Sequence, residues 1–192
     1  MKTIFVYGPQ MSGKTTQLIK IAQAHRHTCL IFSGENQRAI SNGKINLPVT
    51  APLSKRLISS RQQFLLKTGN HHQIRFVIID GAQFLNRAFV VKLFQLINDC
   101  YHNSTVIIAG CLYYLSFGPR PGGAIPVSRF LLKYCNLAKP INRRCDFCHR
   151  RAVRFWVNNG QRIGANQIVT ADPHLVCGIH YHELLENKFS NP

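Results

Sequence analysis

The chain predicts an α/β fold, a parallel sheet flanked by helices, with a small Cys/His-rich subdomain at its C-terminal end. Three observations predict it: apolar runs alternate with amphipathic stretches, a Gly-rich turn joins the first such pair, and Cys and His residues at metal-ligand spacing cluster beyond residue 142. The 192 residues suffice for one α/β domain with a buried core and a small appended module, but not for two full domains.

Taken in order, residues 3–7 form a short β-branched and aromatic run stopped by Gly8-Pro9, and residues 28–32, 75–79 and 104–109 repeat that texture. Strands this continuously apolar belong in a parallel sheet covered on both faces. Helices are predicted over 13–25, over 53–67 with Thr68-Gly69-Asn70 closing it, and over 86–101. In the last, Phe89, Val90, Leu93, Phe94 and Ile97 make one apolar stripe. Residues 34–52 and 116–126 carry Gly, Asn and Pro with no clear period and have the make-up of lids. From 142 onward Cys, His and Arg dominate, and residues 152–157 followed by Asn158-Asn159-Gly160 predict a hairpin.

Composition narrows the function classes. With 45% apolar and 16% charged residues the chain is globular, which excludes a disordered, coiled-coil or collagenous protein. Twenty-four Lys and Arg against seven Asp and Glu give a net charge of +17, which favours anionic partners: nucleotides, nucleic acid or acidic lipid. No apolar run approaches the roughly 20 residues of a membrane span, and the opening run is too short for a signal-peptide core. A cytoplasmic protein without a membrane partner is expected. The odd count of seven Cys and their spacing argue for a metal site in a reducing compartment over a disulfide framework.

Gly8-Pro9-Gln10-Met11-Ser12-Gly13-Lys14-Thr15 fits G-x-x-x-x-G-K-[ST] at every fixed position, after a predicted strand and opening a predicted helix. In such a P-loop the backbone N–H groups cradle the phosphates of ATP, Lys14 reaches the β- and γ-phosphates, and the Thr15 hydroxyl ligates Mg²⁺. Asp80 ends the strand 75–79, where a carboxylate completes the magnesium shell; a helix N-cap is the structural alternative. Residues 1–141 thus form a nucleotide-binding domain.

Residues 142–192 form a zinc-binding subdomain. Cys145-x-x-Cys148 and Cys177-x-x-His180 supply three thiolates and an imidazole for one tetrahedral Zn²⁺, with 28 residues between the pairs. His149, His174 and His182 lie close enough to compete for the fourth position, while Cys29, Cys100 and Cys135 fall in predicted elements as core residues. Arg143-Arg144 and Arg150-Arg151 with Arg154 surround Phe147, Phe155 and Trp156. That grouping suits either single-stranded nucleic acid or a solvated face over a small core, and the second is favoured because no nucleic-acid-binding motif accompanies it.

In order, Gly8-Pro9-x-x-Ser12-Gly13-Lys14-Thr15-Thr16-x-Leu18, Arg38, Asp80-x-Ala82-Gln83-Phe84 and the Cys pairs resemble the thymidine kinases of the cellular and poxvirus type, the zinc-containing class. The resemblance covers nearly the whole chain. It implies a P-loop α/β domain and a zinc-bound subdomain whose lasso-like loop closes over thymine. It further implies phosphoryl transfer from ATP to the 5′-hydroxyl of deoxythymidine, with Thr16 and Gln83 beside the nucleotide and Arg38 in the catalytic set. Members of that family are commonly tetramers.

The departures fall on the acceptor side. The family pattern Asp-Glu-(Ala/Gly)-Gln-Phe carries its proposed general base at the second position, and here that position is Gly81. The family's Gly-Leu-x-x-Asp-Phe reads Gly110-Cys111-Leu112-Tyr113-Tyr114-Leu115, which leaves Tyr114 in place of the acid. The lasso is eroded to Ile168-Val169-Thr170-Ala171-Asp172-Pro173-His174. Of the seven acids, Asp80 is assigned to magnesium. Asp99, Asp146, Glu183 and Glu186 lie away from a 5′-hydroxyl, and Glu35 and Asp172 remain as substitutes. Weak thymidine kinase activity or none is predicted, with Gly81→Glu expected to raise it. Two readings stay open: a divergent nucleoside kinase, or a catalytically inactive P-loop protein that binds ATP in a regulatory role, with nucleic acid as a further partner.

Overall fold

The computed structural model describes residues 1–33, 38–41, 45–48, 50–52, 57–68, 73–114, 116–117, 123–158, 161–163, 167–169 and 172–189. In chain order its elements are β1 (Lys2–Tyr7), α1 (Lys14–Ala24), β2 (Cys29–Ser33), β3 (Arg38–Ser41), β4 (Ile45–Pro48), β5 (Ala51–Pro52), α2 (Arg61–Thr68) and β6 (Phe76–Asp80). A 3-10 turn (Ala82–Phe84) leads to α3 (Arg87–Cys100), β7 (Thr105–Gly110), β8 (Ser116–Phe117), α4 (Pro126–Tyr134) and β9 (Leu137–Pro140). Beyond them lie β10 (Arg154–Asn158), β11 (Gln161–Ile163), β12 (Gln167–Val169), β13 (Asp172–Val176) and α5 (Gly178–Phe189).

The central sheet has the order β5-β2-β6-β7-β1-β9, and every neighbouring pair is parallel. Its strands are apolar throughout because both faces are covered. Phe5, Val77, Ile79, Val106 and Ile108 point to one face, where Val90, Leu93, Phe94 and Ile97 of α3 meet them. Val6, Ile78, Ile107 and Ala109 point to the other, against Leu18 and Ala22 of α1. Alternation along the strands divides the two cores, and each fully buried large side chain contributes about 1.5–3 kcal/mol. This is the P-loop type of parallel sheet flanked by helices, with β7 inserted between β1 and β6.

Helix α3 starts where Asn86 caps it, its side chain accepting from the Phe89 amide at 2.8 Å. Helix α2 starts at Arg61, later than the predicted residue 53. Ser60 Oγ accepts from the Gln63 amide at 3.2 Å and sets that start, while Leu57 and Ile58 are buried in the turn before it. Residues 34–52, read as lacking a period, include the antiparallel pair β3 and β4 and the edge strand β5. The residues after the 116–126 loop yield α4, opened by Pro126 at its first turn, and β9, which extends the sheet beside β1.

The predicted hairpin at 152–160 is corrected. The period-2 strand is present as β10, but it pairs antiparallel with β13 and parallel with β8, while β11 pairs with β12. A turn signal marks where a strand ends and does not choose its partner. Trp156, Val176 and Tyr181 form a third small core with Cys145 and Cys177, under α5.

Candidate functional site

The chain must reverse sharply between β1 and α1, and two residues take left-handed backbone to do it: Gly13 at φ 90° and the exposed Met11 at φ 57°. A side chain at Gly8 would put its Cβ 2.7 Å from Ser12 Oγ and 3.3 Å from Ile141 Cβ, so any larger residue there requires Ser12 to move. The first turn of α1 carries no acid, and its N-cap, Gly13, has no side chain to cap the amides. Those amides face an open end that favours an anion.

Lys14 is 8% exposed. Its ammonium donates to the Pro9 carbonyl at 2.6 Å, the Gly8 carbonyl at 3.3 Å and Ser12 Oγ at 3.4 Å. Thr15 Oγ1 donates to Asp80 Oδ2 at 2.8 Å and bridges residues 65 apart in the chain. Burial pushes the Asp80 carboxyl above the usual carboxylate range, against the opposing pull of the Thr15 hydroxyl, the Lys14 charge and the Gly81 amide. Asp80 is not an N-cap: the cap of the following 3-10 turn is Gly81, at φ 82°, ψ 40°.

Gln83, in that turn, has its Oε1 buried without a hydrogen-bond partner. It faces Gly110 at the tip of β7, where a Cβ would come within 2.8 Å of Ala82 Cβ. Arg38 opens β3, and no side-chain position is described for it. Glu35, Thr170 and Ala171 lie outside the described residues, while Asp172 is placed only as the first residue of β13.

Beside the loop is a cavity of about 290 Å³. Gly8, Pro9 and Gln10 form one wall and Tyr113 and Tyr114 another; Arg151, Arg154, Tyr181 and His182 close it from the C-terminal part of the chain. The Arg154 guanidinium stacks 3.5 Å above the Tyr113 ring and lies 5.1 Å from that of Tyr181. A larger hollow of about 1030 Å³ lies across Tyr114, against α4, and does not reach the Gly8 to Thr15 turn. Arg154 was legible in the sequence only as one of a basic group. Its place over Tyr113 depends on the chain returning from residue 154 to the tip of β7, which no local pattern announces.

At the C-terminal end, Cys145, Cys148, Cys177 and His180 come together with their ligand atoms all within 4.8 Å of one another. His180 Nδ1 is 3.4 Å from both Cys145 Sγ and Cys177 Sγ, and Cys148 Sγ is 3.8 Å from Cys177 Sγ. Tetrahedral zinc, with Zn–S near 2.3 Å and Zn–N near 2.0 Å, requires edges of about 3.8 Å between sulfurs and about 3.5 Å between sulfur and nitrogen. The set fits. His180 Nε2 lies 3.7 Å from Glu183 Oε2, the outward orientation that a ligating imidazole adopts.

The competing histidines are placed elsewhere: His149 against Arg144 at 3.4 Å, His174 against Asp146 at 3.8 Å, and His182 in the cavity wall. Backbone amides set the thiols. The His180 N–H, at the start of α5, leads in holding Cys177 down to about 6. At Cys145 burial pushes the thiol up, but the amides of Cys177, Phe147 and Cys148 outweigh it and hold it below its ordinary value. By contrast burial pushes Cys29 up to about 12 and Cys135 up to about 11, as for inert core thiols, and raises Cys100 as well. Trp156 and Phe155 are buried, which removes two of the three aromatics from any base-stacking face.

No helix among the described residues is long and apolar enough to cross a membrane. No curated protein matches the chain. Among solved structures it is similar to the Pif1 helicase from Candida albicans, at 15% identity and a TM-score of 0.48, covering 73% of this chain and 36% of that one. It is also similar to Bacteroides Pif1 bound to ssDNA, at 18% identity and a TM-score of 0.40, covering 69% and 33%. The chain spans about a third of the length of these structures. Residues 1–177 match the sequence profile of the family described as thymidine kinase, and the chain belongs to that family.

Proposed function

We propose that the chain is an ATP-dependent phosphotransferase of the thymidine kinase type in which transfer to the 5′-hydroxyl of deoxythymidine is weak or lost. The observation that supports the nucleotide half is the 2.8 Å bond from Thr15 to the buried Asp80, which brings together beside Lys14 two oxygens of the kind that ligate magnesium. Residues Gly8 to Thr16 would hold the triphosphate, with Gln83 near the same site. A γ-phosphate would compete with the Pro9 and Gly8 carbonyls for Lys14. Magnesium on Thr15 and Asp80 would neutralise charge on the transferring group.

Catalysis then rests on positioning, because the family's base position is Gly81 and the described residues lining the cavity include no carboxylate. That same observation favours the second reading, an ATP-binding protein without transfer. The division at 142, with nucleotide held by 1–141 and zinc by 142–192, is part of the proposal, as is a reducing, cytoplasmic setting that keeps the thiol ligands free.

The test is calorimetry with Mg·ATP followed by a phosphotransfer assay across the deoxynucleosides and their monophosphates. ATP binding with transfer to any of these supports the kinase. ATP binding with transfer to none supports the second reading, and no ATP binding sinks both.

A further inference from the structure

Among its described residues, the cavity beside the phosphate loop lacks the carboxylate that would take a proton from a neutral nucleoside. Its described wall brings Arg151, Arg154 and His182 to face Gly8 to Gln10, with tyrosines between and no carboxylate. Transfer to a sugar hydroxyl needs a base, which contributes typically 10²–10⁴-fold. A phosphate monoester needs none: its second pKa is about 6, so its oxygens are already anionic at neutral pH. Guanidinium groups are the side chains best shaped to hold such a group, and the stack on Tyr113 pins Arg154 in place. The cavity, about 290 Å³, is at the small end of ligand pockets, of a size for one nucleotide and not for a strand.

We propose that the acceptor of this site is a nucleoside monophosphate, whose phosphate is held by Arg151 and Arg154, and that transfer goes to a phosphate oxygen in place of a sugar hydroxyl. An acceptor phosphate oxygen forms the new bond to the γ-phosphorus, and the bond from that phosphorus to the β–γ bridging oxygen breaks with its electron pair. The products are ADP and a nucleoside diphosphate, and no proton has to be removed from the acceptor. The inference rests on the phosphotransferase reading above. It changes what the loss of carboxylate at position 81 means, from a crippled kinase to one whose acceptor no longer requires a base.

The experiment uses the full, zinc-loaded chain with Mg·ATP and compares deoxythymidine with deoxythymidine monophosphate by ADP release and by chromatography of the products. The monophosphate is expected to give the higher kcat/KM by about tenfold or more, the scale of a charge-assisted hydrogen bond, and to yield the diphosphate. Arg154→Gln, and the more exposed Arg151→Gln should the first fail to fold, are expected to lower monophosphate use by a similar factor while ATP affinity stays unchanged.

Equal or better use of deoxythymidine overturns the assignment. So does a monophosphate preference that survives both substitutions, or a 5′-phosphorylated oligonucleotide that outcompetes the mononucleotide. Absence of ATP binding sinks the phosphotransferase reading itself, whereas ATP binding without gain for the monophosphate sinks only the acceptor.

Discussion

On the phosphate side of the strand tips, Lys14 is tied to the Pro9 carbonyl and Thr15 to Asp80, so the groups that would meet a triphosphate are already held in place. On the acceptor side the wall is assembled from four separate stretches, around Gln10, Tyr113, Arg154 and His182, and its described polar side chains are arginine, tyrosine, histidine and glutamine, with no carboxylate among them. The contrast shows two kinds of dependence on the chain. The phosphate side follows from eight consecutive residues and one strand end. The acceptor side depends on how the C-terminal part folds back, and so on the Cys/His cluster that brings 145–148 and 177–180 together.

Breaking that support should therefore separate the two sides. One equivalent of zinc is expected to co-purify, and structural zinc contributes an apparent 10–16 kcal/mol in small metal-folded peptides, the largest single term available here. Chelation, or Cys177→Ser, is expected to loosen residues 142–192 and spare ATP binding. Trp156 is the chain's one tryptophan and is fully buried in the core next to the cluster. Its fluorescence should shift red on metal loss while calorimetry still reports ATP. His180→Ala should lose the zinc and His182→Ala keep it; the reverse outcome would reassign the fourth ligand.

On the phosphate side the matching test is Lys14→Ala. It removes charge-assisted bonds worth about 1.5–3 kcal/mol each, so Mg·ATP affinity should fall by about 100-fold or more with zinc content unchanged. An affinity equal to wild type would refute the phosphate site.

What was legible in the sequence follows the same line. The Gly8 to Thr15 turn and the two Cys/His pairs stood out because residue type and short spacing mark them, and Asp80 because it ends an apolar run; the structure brings Asp80 to Thr15 and the two pairs to each other. The four apolar runs could be read because a strand covered on both faces has to be apolar throughout. The partner of β10 could not: the turn residues after Asn158 are local, whereas β13 runs into Cys177, which lies beside Cys145 and Cys148 only in the folded chain. Nor could the strand β9, whose Leu-Ala-Lys-Pro run is too short and mixed to stand out until it lies beside β1. Arg154 was visible as charge, but its place over Tyr113 is a tertiary fact.

A smaller effect distinguishes the sides by pH. Burial raises the Asp80 carboxyl above its unfolded value, so its protonated form adds to folding stability at low pH, and that contribution is lost as pH rises through the raised value. Magnesium needs the carboxylate, so Mg·ATP affinity should run the opposite way. It is expected to weaken by up to about tenfold per unit as pH falls below that raised value, and the dependence should vanish in Asp80→Asn. A flat profile in wild type would remove Asp80 from the metal shell. Gly110→Ala tests the support beneath both sides. Its Cβ would lie 2.8 Å from that of Ala82, so a loss of about 1–3 kcal/mol, seen as a lower Tm, is expected along with disturbed packing of Gln83.

The finest test is at Gly81, where restoring the family's acid looked from sequence alone like a direct repair. The backbone there is left-handed, φ 82°, which costs an L-residue about 1–2 kcal/mol and sends its side chain off in a direction unlike that taken from ordinary helical or extended backbone. Gly81→Glu should therefore lower Tm by roughly 2–8 °C for a chain of this size. Gly81→Ala carries the same backbone strain without a carboxylate, so the ratio of the two variants' deoxythymidine turnover isolates the chemistry. We expect a ratio below about tenfold, short of the 10²–10⁴-fold of a well-placed base. A ratio of a hundredfold or more would mean that the turn relaxes, that the acceptor side still takes a nucleoside, and that the missing carboxylate alone separates this chain from deoxythymidine phosphorylation.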